Sequence, residues 1–147
     1  MRRTIARLTL VAYTLFMLAI TLLILGGKAA TLNLIPFRMM VHDWRIGGTP
    51  LVVNFLGNIV AFLPLGALLP MVRQSRTRLR DVALIAAGFS MAIETMQYLF
   101  ARRNADVDDV LLNTLGALFG YGLLRAIERL STIQGRAEVA QSSSKTA

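Results

Sequence analysis

Glu94 lies inside an otherwise uncharged run, residues 82–101, and that run is about as long as the ~20 residues needed to cross a hydrocarbon core. A carboxylate at the centre of a membrane helix costs roughly 2.5–3.5 kcal/mol on insertion scales, so it is expected to face a helix bundle and to be tied to function. Its chemistry is that of a general acid or base, a cation ligand, or an acceptor in a polar pocket. Helical spacing supplies companions: Gln97 stands at i+3 from Glu94, Asn54 and Asn58 are i, i+4, and Asp106, Asp109 and Asn113 are i, i+3, i+7. Each set therefore falls on one helix face. The carboxylates Glu94, Asp106 and Asp109 could hold a hard cation such as Mg²⁺ or act as an acid/base pair, but Asp-x-Asp-Asp at a helix start is a weak signature of either.

Positioning these groups falls to four apolar segments, residues 8–26, 51–72, 82–101 and 107–124, each near the length of a membrane span. With 147 residues, 55% of them hydrophobic, and a positive mean hydropathy, the chain is too apolar for a small soluble protein. The expected fold is an all-α integral membrane protein, a bundle of four transmembrane helices with an apolar outer loop between the first and second. A basic head, residues 1–7, precedes the transmembrane domain, residues 8–130, and a polar, Ser-rich tail, residues 131–147, is expected to be disordered from about Gln134. The head resembles a signal peptide, but its apolar stretch exceeds the usual ~7–15 residues and the reading is an uncleaved anchor.

Charge sets orientation. The net charge of +8 is scattered over the flanks of apolar runs and forms no stripe that would track nucleic acid. Arg2, Arg3, Arg7, Arg73, Arg76, Arg78, Arg80, Arg125, Arg129, Arg136 and Lys145 fall on one side, against Lys28, Arg38, Arg45, Arg102 and Arg103 on the other. The positive-inside rule then puts both termini in the cytoplasm and residues 27–49 and 102–106 outside.

On this topology the three polar sets share a depth near the outer boundary. Small residues continue the same faces inward, with Ala61 below Asn58, Ala87 and Ser90 below Glu94, and Gly116 and Gly120 below Asn113. Small residues mark helix contacts, so the polar faces are expected to meet and form a pocket open to the outer surface. Arg102 and Arg103 are near enough in sequence to pair with its carboxylates. Each group also has a plainer role: asparagines as interhelical hydrogen bonds, Asp106, Asp108 and Asp109 as caps of the fourth helix, Trp44 as an interface anchor. In the second span Pro64 is expected to kink the helix near residues 62–66. The only histidine, His42, stands in a loop without metal-ligand or triad spacing, and the absence of cysteine removes disulfide and thiolate chemistry.

Asn33-Leu-Ile-Pro-Phe37, Asn54-Phe-Leu-Gly-Asn58 running into Phe62-Leu-Pro-Leu-Gly66, Ser90 to Glu94 with Gln97, and Arg103 with Asp106, Asp109 and Asn113-Thr-Leu-Gly116 together resemble the VanZ-like family in the same order. The resemblance covers residues 33–122. It implies a small polytopic bacterial envelope protein, in the cytoplasmic membrane, whose family namesake is associated with teicoplanin resistance. The family's polar signature falls on Asn54, Asn58, Glu94, Gln97, Arg103, Asp106, Asp109 and Asn113. Arg102 and Ala105 depart from it, where glycine and a larger apolar residue are expected.

Two functions follow as expectations. In the first, Asn54, Asn58, Gln97, Arg103, Asp106 and Asn113 bind a lipid-linked or cell-wall component among membrane lipids, and the protein alters glycopeptide susceptibility. In the second, an outer-leaflet enzyme uses Glu94 and Asp109 as acid and base, with Arg103 clamping a phosphate. A proton-coupled transporter ranks below both, because few polar groups continue across the inner half of the helices. Cofactor, natural ligand and oligomeric state are left open by the sequence.

Overall fold

Long uncharged runs of Leu, Ala, Ile and Val must satisfy their backbone groups internally when lipid surrounds them, and the α-helix does so within one segment. A computed structural model describes residues 2–23, 31–73, 77–100 and 104–145. In chain order it consists of α1 (Arg2–Leu23), β1 (Leu32–Asn33), α2 (Arg38–Ile46), the single turn α3 (Gly48–Pro50), a π-helical segment (Leu51–Leu56), α4 (Gly57–Arg73), α5 (Leu79–Phe100), β2 (Ala105–Asp106) and α6 (Val107–Lys145). Among the described residues, four helical stretches are long and apolar enough to cross a membrane: Arg3–Thr21, Leu51–Arg73, Leu79–Phe100 and Val107–Gly135. The all-α membrane architecture expected from hydropathy is therefore present.

The helices meet on small residues. A Cβ added at Gly66 would fall on the backbone of Ala117, one at Gly116 on that of Ile59, and one at Gly120 on that of Leu63, so α4 and α6 touch backbone to backbone. Phe62, Leu65, Leu69, Val82, Ala86, Ile93 and Ala117 form the buried centre. The Phe62 and Phe89 rings tilt against each other at 5.8 Å, within the range of favourable aromatic pairs. At the opposite end of the bundle from the two strands, Asp81 accepts from the Arg78 N–H (2.9 Å), half of a capping box at the start of α5. The Tyr121 hydroxyl donates to the Thr77 carbonyl (3.2 Å) and ties that turn to α6.

The apolar loop between the first two spans contains α2 and, through β1, a parallel two-residue pairing with β2, in register Leu32 to Ala105 and Asn33 to Asp106. α4 passes through Pro64 and Pro70 as α-helix, and the departure from α-helical bonding lies upstream, in the π segment Leu51–Leu56. Proline frees the carbonyl four residues back and weakens that turn; here the Tyr13 hydroxyl donates to the Ala61 carbonyl (2.8 Å) within the same turn. α6 runs on to Lys145.

Candidate functional site

Two polar layers sit at the end of the bundle that carries α2 and the strands. The upper one is a cap. Asp108, 2% exposed, accepts the backbone N–H groups of Phe37, Met39 (2.9 Å) and Met40 (3.1 Å), so the first turn of α2 is held by a carboxylate from α6. Those N–H groups have no partner inside α2, and a carboxylate at a helix N-terminus also meets the positive end of its dipole. Phe37 adopts a left-handed φ of 66°, a strained geometry for a bulky residue that surrounding contacts must hold. At the other end of α2, buried Asp43 accepts from Asn54 Nδ2 (2.7 Å) and lies 3.4 Å from His42 Nδ1.

Between the layers, Asn33 Nδ2 donates to Asp106 Oδ1 (2.8 Å), which also accepts the Asp108 N–H (2.9 Å). The Asp106 N–H in turn donates to Glu94 Oε2 (2.9 Å). Burial pushes the Asp106 carboxyl above its ordinary value, the charges of Asp108 and Asp43 add to that, and the Asp108 N–H and Asn33 amide oppose it.

The lower layer is a cavity of about 410 Å³. Asn58, Glu94, Gln97, Asp109 and Asn113 supply its polar wall, and Tyr13, Phe16, Met17, Ile20 and Thr21 of α1 close the side opposite. Asn58 Nδ2 donates to Asp109 Oδ1 (2.6 Å) and Asn113 Nδ2 to Ser90 Oγ (2.8 Å). The other end of the Asn113 amide, Oδ1, is buried without a protein partner, in a residue 4% exposed. A buried acceptor left unmade costs roughly 1–3 kcal/mol.

The structure thus brings together Asn58, Glu94, Gln97, Asp109 and Asn113, from three helices. It does not place Asn54 with them. The π segment carries an extra residue per turn, and Asn54 bonds Asp43 in the cap. Asp106 stands between, touching the cavity only through its N–H bond to Glu94. Arg102 and Arg103 lie outside the described residues. Among the described residues no group of three or more acidic or histidine side chains is arranged to hold a metal ion.

Over residues 8–128 the chain matches the model of the VanZ/LLP1 family. The chain belongs to the VanZ/LLP1 family. No curated protein and no solved structure matches it. In this family member, sequence reasoning overlooked the cavity wall formed by α1 and the anchoring parts of Asp43 and Asp108. The α1 wall had a signal: Tyr13, Met17, Ile20 and Thr21 recur at i, i+4, i+7, i+8, the period of one buried helix face.

Proposed function

We propose that this VanZ/LLP1 protein is a multi-pass protein of the bacterial cytoplasmic membrane, with both termini cytoplasmic and the cap outside, and that its cavity binds the polar part of a lipid-linked or cell-wall component. The observation that carries this reading is a cavity with the amides and carboxylates of Asn58, Glu94, Gln97, Asp109 and Asn113 on its wall together with the largely apolar residues of α1. A polar head in this cavity finds amide and carboxylate partners on its wall. The aromatic and aliphatic wall of α1 suits a ligand that arrives from the bilayer.

Orientation is tested by labelling, since the native chain has no cysteine. Trp44→Cys, at a position 74% exposed, is expected to react with an impermeant maleimide added to intact cells, and Arg78→Cys only after lysis. The opposite pattern would turn the cavity to the cytoplasm.

Function is tested by teicoplanin susceptibility in a sensitive Gram-positive host expressing wild type or Glu94→Gln at matched membrane levels. Glutamine keeps an acceptor for the Asp106 N–H, so the fold is expected to survive. A hydrogen bond to a neutral acceptor is weaker than one to an ion by about 1 kcal/mol; ligand affinity is expected to fall by the corresponding factor, about fivefold to tenfold, and protection with it. Equal protection by both chains would reduce Glu94 to packing, and protection by neither would detach this protein from the glycopeptide pathway.

The enzyme reading has one observation in its favour: Glu94 and Asp109 line the same cavity. It requires a product. Chemical conversion of a bound lipid-linked substrate by wild type, lost in Glu94→Gln with binding retained, would replace the binding reading with it.

A further inference from the structure

α2 is nine residues long, Arg38–Ile46, too short to span a bilayer and too rich in charge to sit in its core. At ~100° per residue its side chains fall into three stripes. Asp43 is buried and Met39 and Met40 are half-buried, so this side packs on the bundle. Val41 and Trp44 share a second stripe, 47% and 74% exposed. Arg38 and Arg45, two turns apart and both exposed, form a third beside it. The carboxylate of the helix, Asp43, is on the packed side, and among the described residues neither arginine forms an ion pair.

The bundle holds this helix at the membrane boundary. Its first turn is fastened to Asp108, and its last to Asn54 through Asp43. Asp108 and Asn54 stand at the starts of the spans Val107–Gly135 and Leu51–Arg73. At that depth the neighbour of a side chain facing away from the bundle is the lipid headgroup layer. We propose that α2 is a phospholipid-binding foot: Val41 and Trp44 enter the headgroup layer beside the bundle, and the guanidinium groups of Arg38 and Arg45 bind the phosphate of an anionic phospholipid. The two exposed stripes match that partner. An indole prefers the headgroup level, with its apolar body buried and its N–H edge wet. Arginine meets phosphate with a fork of donors and rests its stem on apolar surface. A helix with apolar and basic stripes side by side is the form that lies in such an interface. The foot is independent of what the cavity binds and gives the cap a partner of its own.

Trp44 is the single tryptophan of the chain, so its fluorescence reads the foot without a label. The full chain is reconstituted in nanodiscs of phosphatidylcholine and phosphatidylglycerol, with bromine as quencher on the acyl chains of one lipid or the other. Trp44 emission is expected to lie to the blue of indole in water. Bromine near the carbonyl end of the chain is expected to quench it more strongly than bromine at the tip. At equal mole fraction, brominated phosphatidylglycerol is expected to compete for the site about fivefold better than brominated phosphatidylcholine, the factor one basic residue near an anionic surface supplies. Raising the salt is expected to shrink that preference. The double variant Arg38→Gln/Arg45→Gln changes only exposed side chains, so its unfolding temperature in detergent is expected to match wild type. In it Trp44 is still quenched, but the two lipids quench alike.

Trp44 emission as in water, with no quenching by either lipid, would overturn the foot. Emission shielded from aqueous iodide yet untouched by either brominated lipid would overturn it too, and would mean that a second copy or another protein covers the stripe. A preference for phosphatidylglycerol that survives in the double variant would overturn the assignment of the phosphate to Arg38 and Arg45.

Discussion

Asp108→Ala is expected to release the cap from the bundle and lower stability by roughly 3 kcal/mol, read as a drop in unfolding temperature in detergent together with rapid proteolysis within residues 31–46. The carboxylate accepts three backbone N–H groups from a segment about seventy residues away in sequence. Bonds to an ionised acceptor are worth about 1.5–3 kcal/mol each, but the detached segment regains water, so the sum is not realised in full. Asp108→Asn sharpens the test. The Phe37 N–H is taken by Oδ1 and those of Met39 and Met40 by Oδ2, so an amide must turn its NH₂ toward at least one donor. Asparagine is therefore expected to behave much like alanine despite its matching shape. Asp108→Asn with wild-type stability would mean that the cap is held by packing alone.

Gly66→Ala is expected to cost about 3 kcal/mol or more, measured as the unfolding temperature of the detergent-solubilised chain by size-exclusion fluorescence. An added Cβ would lie well inside 3.0 Å of the Ala117 backbone, and neither helix has a side-chain end that can swing away. α4 and α6 must separate, and Asn58 then moves away from Asp109, so the cavity widens as stability falls. Gly88→Ala and Gly122→Ala are the controls. Each lies in a membrane helix with nothing within 4 Å of the new atom, and alanine is the better helix former by up to ~1 kcal/mol, so both are expected to be neutral or stabilising. Equal losses at Gly66 and Gly88 would show that glycine is retained for reasons other than close backbone approach.

The polar cluster is legible in the sequence because the membrane makes polar residues conspicuous. Against an apolar run, Glu94 with Gln97 and Asn113 with Asp109 stand out by type, and the 3.6-residue period says which of them share a face. The small residues Ala61, Ser90, Gly116 and Gly120 point the same faces at one another, and four of the helical segments are where hydropathy puts them. In lipid the backbone has only one way to satisfy itself within a segment, so length and apolarity are enough to specify a helix.

What spacing could not supply is how separate segments meet. Asn54 and Asn58 share a face in a regular α-helix, yet the π segment sends Asn54 to Asp43 and Asn58 to the cavity, and no propensity marks where one extra residue enters a turn. Asp108 reads as a helix cap from its position at the start of α6, and it is one, but for α2 rather than its own helix. Its partners are backbone N–H groups of another segment, which carry no side-chain identity to read. The same holds for α1, whose apolar residues look like lipid contacts until the bundle places Tyr13, Met17 and Thr21 against the cavity. Hydropathy and period are local properties and determined the spans, their faces and the polar residues on them; the cap, the cavity wall and the orphaned Asn113 oxygen depend on contacts between residues distant in sequence, which only the packed helices decide.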